Sequence, residues 1–169
     1  MSKTIPLTQG KYAIVDDEDY EAVNKYKWFA HLRSGGWYAA RCGDWRERPR
    51  KCFHMHRVIM DAPDELFVDH WNHDGLDNRR SNLRVCTWGQ NQDNKGKQKG
   101  QFTSQFKGVW WSRNERKWRA AICDNAGGRK YLGYFALERD AALAYNEAAT
   151  RIHGEFAYLN DVPTEGGVA

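Results

Sequence analysis

No C-x-x-C pair occurs in this sequence. Its four cysteines, Cys42, Cys52, Cys86 and Cys123, have other spacings. A four-cysteine zinc site is therefore not expected, and free thiols in a reducing compartment are the default. No apolar run approaches the length of a membrane span, so no membrane partner is expected. Met1 to Gly10 has no apolar core, so no secretory leader is expected. These absences lead to the expectation of a soluble, cytoplasmic protein. A strong net charge is missing as well. The value of +4 over 169 residues says little by itself about partners.

The distribution of charge says more. Lys95 to Arg119 holds eight Lys or Arg and one acid, Glu115, whereas Asp16 to Asp19 is acidic. The basic segment also carries Trp110, Trp111 and Trp118, a composition suited to a phosphate backbone or to a solvated face. Hydrophobic content of 41% and aromatic content of 14% are enough for folded cores. The length suits one ordinary domain or two small ones.

The chain is organised around Val68 to Asn91. Asp69 and His70 sit side by side, and asparagines follow at +12 and +21 from His70, at Asn82 and Asn91. Leu66 to His70 reads as a strand, and a loop rich in Gly, Asp and Asn follows. Leu83 to Cys86 reads as a second strand, and a helix begins near Trp88. Thr87 and Gln90 have capping-box spacing. These residue types suit one-metal phosphodiester hydrolysis. Asp69 and the Asn91 amide oxygen are donors for a hard divalent ion. His70 would take a proton from the attacking water, and Asn82 would brace the loop or the His70 tautomer. His73 and Asp74 are read as turn residues.

The stretch resembles the HNH nuclease family in its phage-type His-Asn-Asn form. The resemblance implies a ββα-metal finger over residues 66–95, with Asp69 and Asn91 on the metal, His70 as general base and Asn82 as loop brace. It implies Mg²⁺ or Mn²⁺ as cofactor. Some members carry a zinc-binding cysteine pair; none is expected here.

Residues 1 to about 60 read as β-rich. Lys11 to Val15, Lys27 to Leu32, Gly36 to Cys42 and Arg50 to His56 are strand candidates. Arg33 to Gly36 is a hairpin signal, and Gly43 to Pro49 a turn. Asp19 to Lys27 is expected to hold one or two helical turns, and Arg57 to Met60 a short helix. His54 and His56 share one strand face. His56 and Arg57 are placed to approach a phosphate, although a structural histidine is the simpler reading. Val15 to Tyr20 and Met55 to Met60 also resemble segments that precede HNH motifs in homing-type endonucleases.

Residues 96–105 read as a basic linker, and 106–160 as a second module. Phe106 to Trp111, Lys117 to Cys123 and Lys130 to Phe135 are strand candidates. Turns are expected at Ser112 to Arg116 and at Asp124 to Gly128. Trp118, Ala120 and Ile122 should face a core; Arg119, Ala121 and Cys123 should face out. Leu137 to about Ile152 keeps its apolar positions on one helical face and stops at Gly154. Residues 161–169 read as a tail.

Lys107-Gly108-Val109, Trp118 to Ile122, Tyr131 to Phe135, Ala141 to Ala149 and Leu159-Asn160 resemble the AP2 DNA-binding domain. That likeness implies a three-stranded sheet laid in the major groove of double-stranded DNA. The implied contacts are Lys107, Trp110, Arg119, Arg129 and Tyr131, with Arg113 and Arg116 on phosphates. Plant members often carry Arg where Trp110, Ser112 and Cys123 stand, and Glu where Ala121 stands. Their target sequence therefore does not carry over.

The expected fold class is α+β. The expected function is a metal-dependent, site-specific, homing-type DNA endonuclease, a monomer or weak dimer that nicks as a monomer. The alternatives are a DNA-binding regulator with an inert HNH fold, and a nuclease acting on RNA or without sequence preference.

Overall fold

The computed structural model describes residues 1–33, 36–44, 46, 49, 51–98, 100–124 and 126–163. Ser34 and Gly35 of the expected hairpin turn lie outside them. So do Trp45, Glu47, Arg48 and Arg50 of the expected turn and strand, Asn125, and 164–169 of the expected tail. The chain divides into two compact units, Met1–Asn91 and Gln92–Ala169. Both mix helices with small sheets, an α+β architecture.

In the first unit, β1 (Ser2–Pro6) and β2 (Tyr12–Asp16) form an antiparallel hairpin, with Ser2 opposite Asp16 and Pro6 opposite Tyr12. Helix α1 (Asp17–Asn24) opens on Asp17, Glu18 and Asp19, where the exposed N–H groups favour negative charge. Strands β3 (Phe29–Arg33), β4 (Gly36–Cys42) and β5 (Cys52–His54) form an antiparallel sheet with β4 in the middle. Helix α2 (Met55–Met60) follows and ends at Asp61, whose φ of 44° is left-handed. Strands β6 (Phe67–His70) and β7 (Leu83–Cys86) pair antiparallel, and α3 (Trp88–Asp93) begins two residues later. Ile5, Val15, Val23, Met55, Val68 and Leu83 pack together as the core. Burial of these apolar groups is the main favourable contribution to folding.

The loop between β6 and β7 is held by backbone bonds. Ile14 N–H donates to Leu76 O (2.8 Å), and Asn78 N–H donates to Ile14 O (2.7 Å). Arg80 places both arms on the Asp19 carboxylate, at 2.8 and 2.7 Å. Gly75 is pressed onto β4: a Cβ there would lie 2.5 Å from Trp37 O and 2.6 Å from the Tyr38 ring.

In the second unit, β8 (Val109–Ser112), β9 (Lys117–Cys123) and β10 (Arg129–Phe135) form an antiparallel sheet with β9 in the middle. Helix α4 (Glu138–His153) packs its small residues Ala141, Ala142, Ala148 and Ala149 against Val109, Ala120 and Ile122. The first strand begins at Val109, later than expected, because Gly108 has φ +74° and interrupts extended backbone. A Cβ at Gly108 would lie 2.2 Å from the Tyr145 ring. The stretch 96–105, expected as a linker, falls within this unit, and Lys97 Nζ donates to Phe106 O at 2.8 Å. Asn160 closes the module. It accepts from Lys107 N–H (2.7 Å), donates to Lys107 O (3.1 Å), and exchanges two bonds with Asn146 (2.7 and 2.8 Å). Among the described residues no helix is long and apolar enough to cross a membrane.

Candidate active site

Asp69 and His70 close strand β6, and the register sets Asp69 opposite Arg84 and His70 opposite Leu83. All four of Asp69, His70, Asn82 and Asn78 are buried. Arg84 Nη2 donates to Asp69 Oδ2 at 2.6 Å. This buried carboxylate thus already accepts a cation, so the position tolerates positive charge beside it.

His70 is held on several sides. Burial pushes its imidazole below the usual 6.5, while a hydrogen bond with Asn78 and the charges of Asp69, Asp74 and Asp77 raise it. Burial wins, so the neutral ring is the form present at neutral pH. Asn78 is fully buried, and its Nδ2 donates to Leu76 O at 3.0 Å.

Asn82 spans the loop. Its Oδ1 accepts from Asn72 N–H (3.0 Å), its Nδ2 donates to Asp77 O (2.7 Å), and its carbonyl accepts from Trp71 N–H (2.9 Å). Asp77 in turn takes Arg79 on both oxygens (2.7 and 2.5 Å), and that guanidinium holds its carboxyl below the usual range. His73 (φ +64°) and Asp74 lie in the turn, where Asp74 Oδ1 accepts from Leu76 N–H.

Asn91 is half-buried on α3 and donates its N–H to Thr87 O at 3.1 Å. The expected capping box is present: Thr87 N–H donates to Gln90 Oε1 (2.9 Å), and Gln90 N–H donates to Thr87 Oγ1 (3.3 Å).

Two expected phosphate ligands are placed otherwise. Arg57 gives Nη1 to Leu66 O (2.6 Å) and Nη2 to Ala62 O (3.1 Å) and Pro63 O (2.7 Å). Its guanidinium clamps the turn before β6, because the left-handed Asp61 folds those carbonyls back onto α2. His56 is buried and lies edge-on to His70, with ring centroids 4.9 Å apart. Its pKa is well below 6.5, through burial first and then the neighbouring His70 and His54.

Sequence reasoning passed over Arg84, Asn78 and Tyr38. The Tyr38 ring lies 5.9 Å from His56 and 5.8 Å from His70. Arg84 was within reach of the sequence: with strands at 66–70 and 83–86, a tight antiparallel register pairs it with Asp69.

The outer sheet face of the second unit gathers the other expected residues. Trp110, Arg119 and Tyr134 lie in one cross-strand row. The Arg119 guanidinium lies 3.8 Å from the Tyr131 ring centroid, 5.5 Å from that of Trp110 and 5.4 Å from that of Tyr134, within cation–π range. Tyr131, Arg113, Arg116 and Arg129 are exposed. Lys107 is the exception. Its Nζ donates to Asp93 O and Lys95 O, both at 2.7 Å, and burial lowers its pKa to about 8. Its amine ties the chain before β8 and does not face outward with the others. Ala121 is also buried, although it alternates with core positions.

Strand β6 thus ends in Asp69 and His70, Asn82 braces the loop to β7, and α3 carries Asn91. The chain is 31% identical over 160 residues to an uncharacterized HNH endonuclease of Acanthamoeba polyphaga mimivirus, covering 91% of this chain and 77% of that protein. It belongs to the HNH endonuclease family. It is also 46% identical over 56 residues to dehydration-responsive element-binding protein 2D of Arabidopsis thaliana, or 32% of this chain and 27% of that protein. A third likeness, 51% over 45 residues, is to dehydration-responsive element-binding protein 2E of Oryza sativa subsp. japonica, covering 26% of this chain and 14% of that one. No protein-family model matches the chain. No solved structure matches it.

Proposed function

We propose that this chain is a site-specific DNA endonuclease of homing type, cutting through a phage-type His-Asn-Asn ββα-metal finger and placed on double-stranded DNA by its second unit. The observation that carries the reading is His70, buried beside the Asn82-braced loop, where burial lowers its pKa and favours the neutral ring. A neutral imidazole can accept the proton of a water attacking phosphorus. Asn78 and the neighbouring carboxylates orient the ring and stabilise the imidazolium that forms. Asn82 keeps the β6–β7 loop in register with them.

Asp69 and Asn91 are the residues that would hold one Mg²⁺ or Mn²⁺ ion. Their donor chemistry fits, because both offer oxygen and hard cations prefer it. When bound, the ion supplies polarisation of the phosphate and charge stabilisation of the leaving oxygen. Trp110, Arg119 and Tyr131 would lie against DNA, with Arg113, Arg116 and Arg129 on phosphates. The protein would act in the cytoplasm and nick one strand as a monomer.

One observation favours the alternative of a DNA-binding regulator with an inert fold. Arg84 already neutralises the carboxylate that would ligate the metal. Cleavage of supercoiled plasmid and phage genomic DNA with Mg²⁺ separates the two. Wild type is expected to give nicked circles, and His70→Ala to lose about 10²–10⁴ in rate while still binding. Binding without cutting by wild type, on DNA shown to contain the bound site, would establish the regulator.

A further inference from the structure

A second cluster of donors lies on the β3–β4–β5 sheet. The register places Ala40 between Phe29 on one side and His54 on the other. Side chains two apart on a strand share a face, so His31, Cys52 and His54 all stand on the face of Ala40. Ala40 has nothing beyond Cβ, and side chains of the two outer strands meet above it. The rings of His31 and His54 stack with centroids 5.9 Å apart and planes inclined by 17°. The donor atoms of His31, Cys52 and His54 lie within 4.8 Å of one another. Tetrahedral zinc holds its ligand atoms roughly 3.5 Å apart, so modest side-chain rotation closes the set.

A second observation points the same way. Two buried ring nitrogens, His31 Nδ1 and His54 Nε2, have no hydrogen-bond partner among the described residues. Buried polar atoms are ordinarily paired, and a cation bound at both nitrogens after modest ring rotation would account for both. Two imidazoles and a thiolate are borderline-soft donors, unlike the oxygens of Asp69 and Asn91.

We propose that His31, Cys52 and His54 form a binding site for a zinc-type divalent cation, with an open fourth position for water. The ion would tie β3 to β5 across β4. It would also fix the His54 ring, which stacks on His56 at 5.5 Å, and His56 abuts His70. This replaces the expectation that the chain lacks a zinc site, which rested on the missing C-x-x-C. The ligands come from two separate strands, a spacing that no linear motif covers. The proposal is independent of whether the Asp69–His70 site cuts DNA.

Cobalt is the probe. The reduced, metal-free full chain should bind one Co²⁺ with thiolate-to-metal charge-transfer absorption, and Zn²⁺ should displace it. Cys52→Ser should abolish that band, and His54→Ala should weaken binding about tenfold or more, a loss at least as large as for an outer-sphere partner. Cys42→Ser and Asp69→Asn should leave the band intact. No band in the wild type would overturn the site, as would a band that survives Cys52→Ser. A second readout needs no variant. Zn²⁺ should protect Cys52 from alkylation, while the exposed Cys42 and Cys123 continue to react. Equal labelling of Cys52 with and without Zn²⁺ would also overturn it.

Discussion

The two units fill their interiors differently. Among the described residues, the first buries Asp19, His56, Asp69, His70, Asp77, Asn78 and Asn82; the second buries Asn94, Ser104 and Asn160. Burying a polar group is costly unless it is bonded, and most of the first unit's buried polar residues converge on the β6–β7 loop. The second unit packs alanines and Tyr145 of α4 on its sheet and keeps Arg113, Arg116, Arg129, Tyr131 and Tyr134 exposed. Chemistry needs groups withdrawn from water, whereas recognition needs groups presented to it. On the proposed function, the same chain would do each in a separate unit.

That contrast can be broken hardest at Gly108. Gly108→Ala would force a methyl into the Tyr145 ring at a positive φ. The second unit should lose on the order of 3 kcal/mol, read by hydrogen exchange, with protection in the first unit unchanged. Next comes Asn160→Ala, which removes the two side-chain hydrogen bonds to the Lys107 backbone that close the module. A loss of about 2 kcal/mol, again confined to the second unit, is expected from chemical denaturation followed unit by unit.

Acid should act on the other unit. The pKa values of His54, His56 and His70 are depressed in the folded state, so their neutral forms stabilise folding fully above pH 6.5. As pH falls below 6.5, the unfolded chain takes up protons that the folded one resists, and stability is lost until the folded values are passed. Exchange protection should therefore decline in the first unit before the second. Equal decline in both would mean the histidines carry no such linkage. The smallest effect is at the sheet face: Arg119→Ala should weaken DNA binding and reduce the salt slope by about one. Cleavage at saturating DNA should be kept.

Much of this was legible in the sequence where local pattern decides. β7 and β9 stand as expected, and Thr87 and Gln90 cap α3 as their spacing implies. Strand β1 was not legible, because only Ile5 of its five residues is buried and its partner lies about ten residues away. Arg57 and Lys107 both have partners that residue type does not show, for one reason. Residue type points a cation at phosphate, but backbone carbonyls brought close by a left-handed turn or a docked segment are satisfied first. The row of rings from His31 to His70 was hidden because it exists only once three strands and a helix are packed.

The bonds between Ile14 and the β6–β7 loop bear on portability. The motif is continuous in sequence, from Val68 to Asn91, and looks like a cassette that could be cut out and grafted. Its loop, however, hangs on the backbone of β2, and β2 is held by β1. A fragment with every motif residue but without the first sixteen would have nothing to set Asn78 under His70. The opening hairpin holds no reacting group, yet the cassette cannot travel without it.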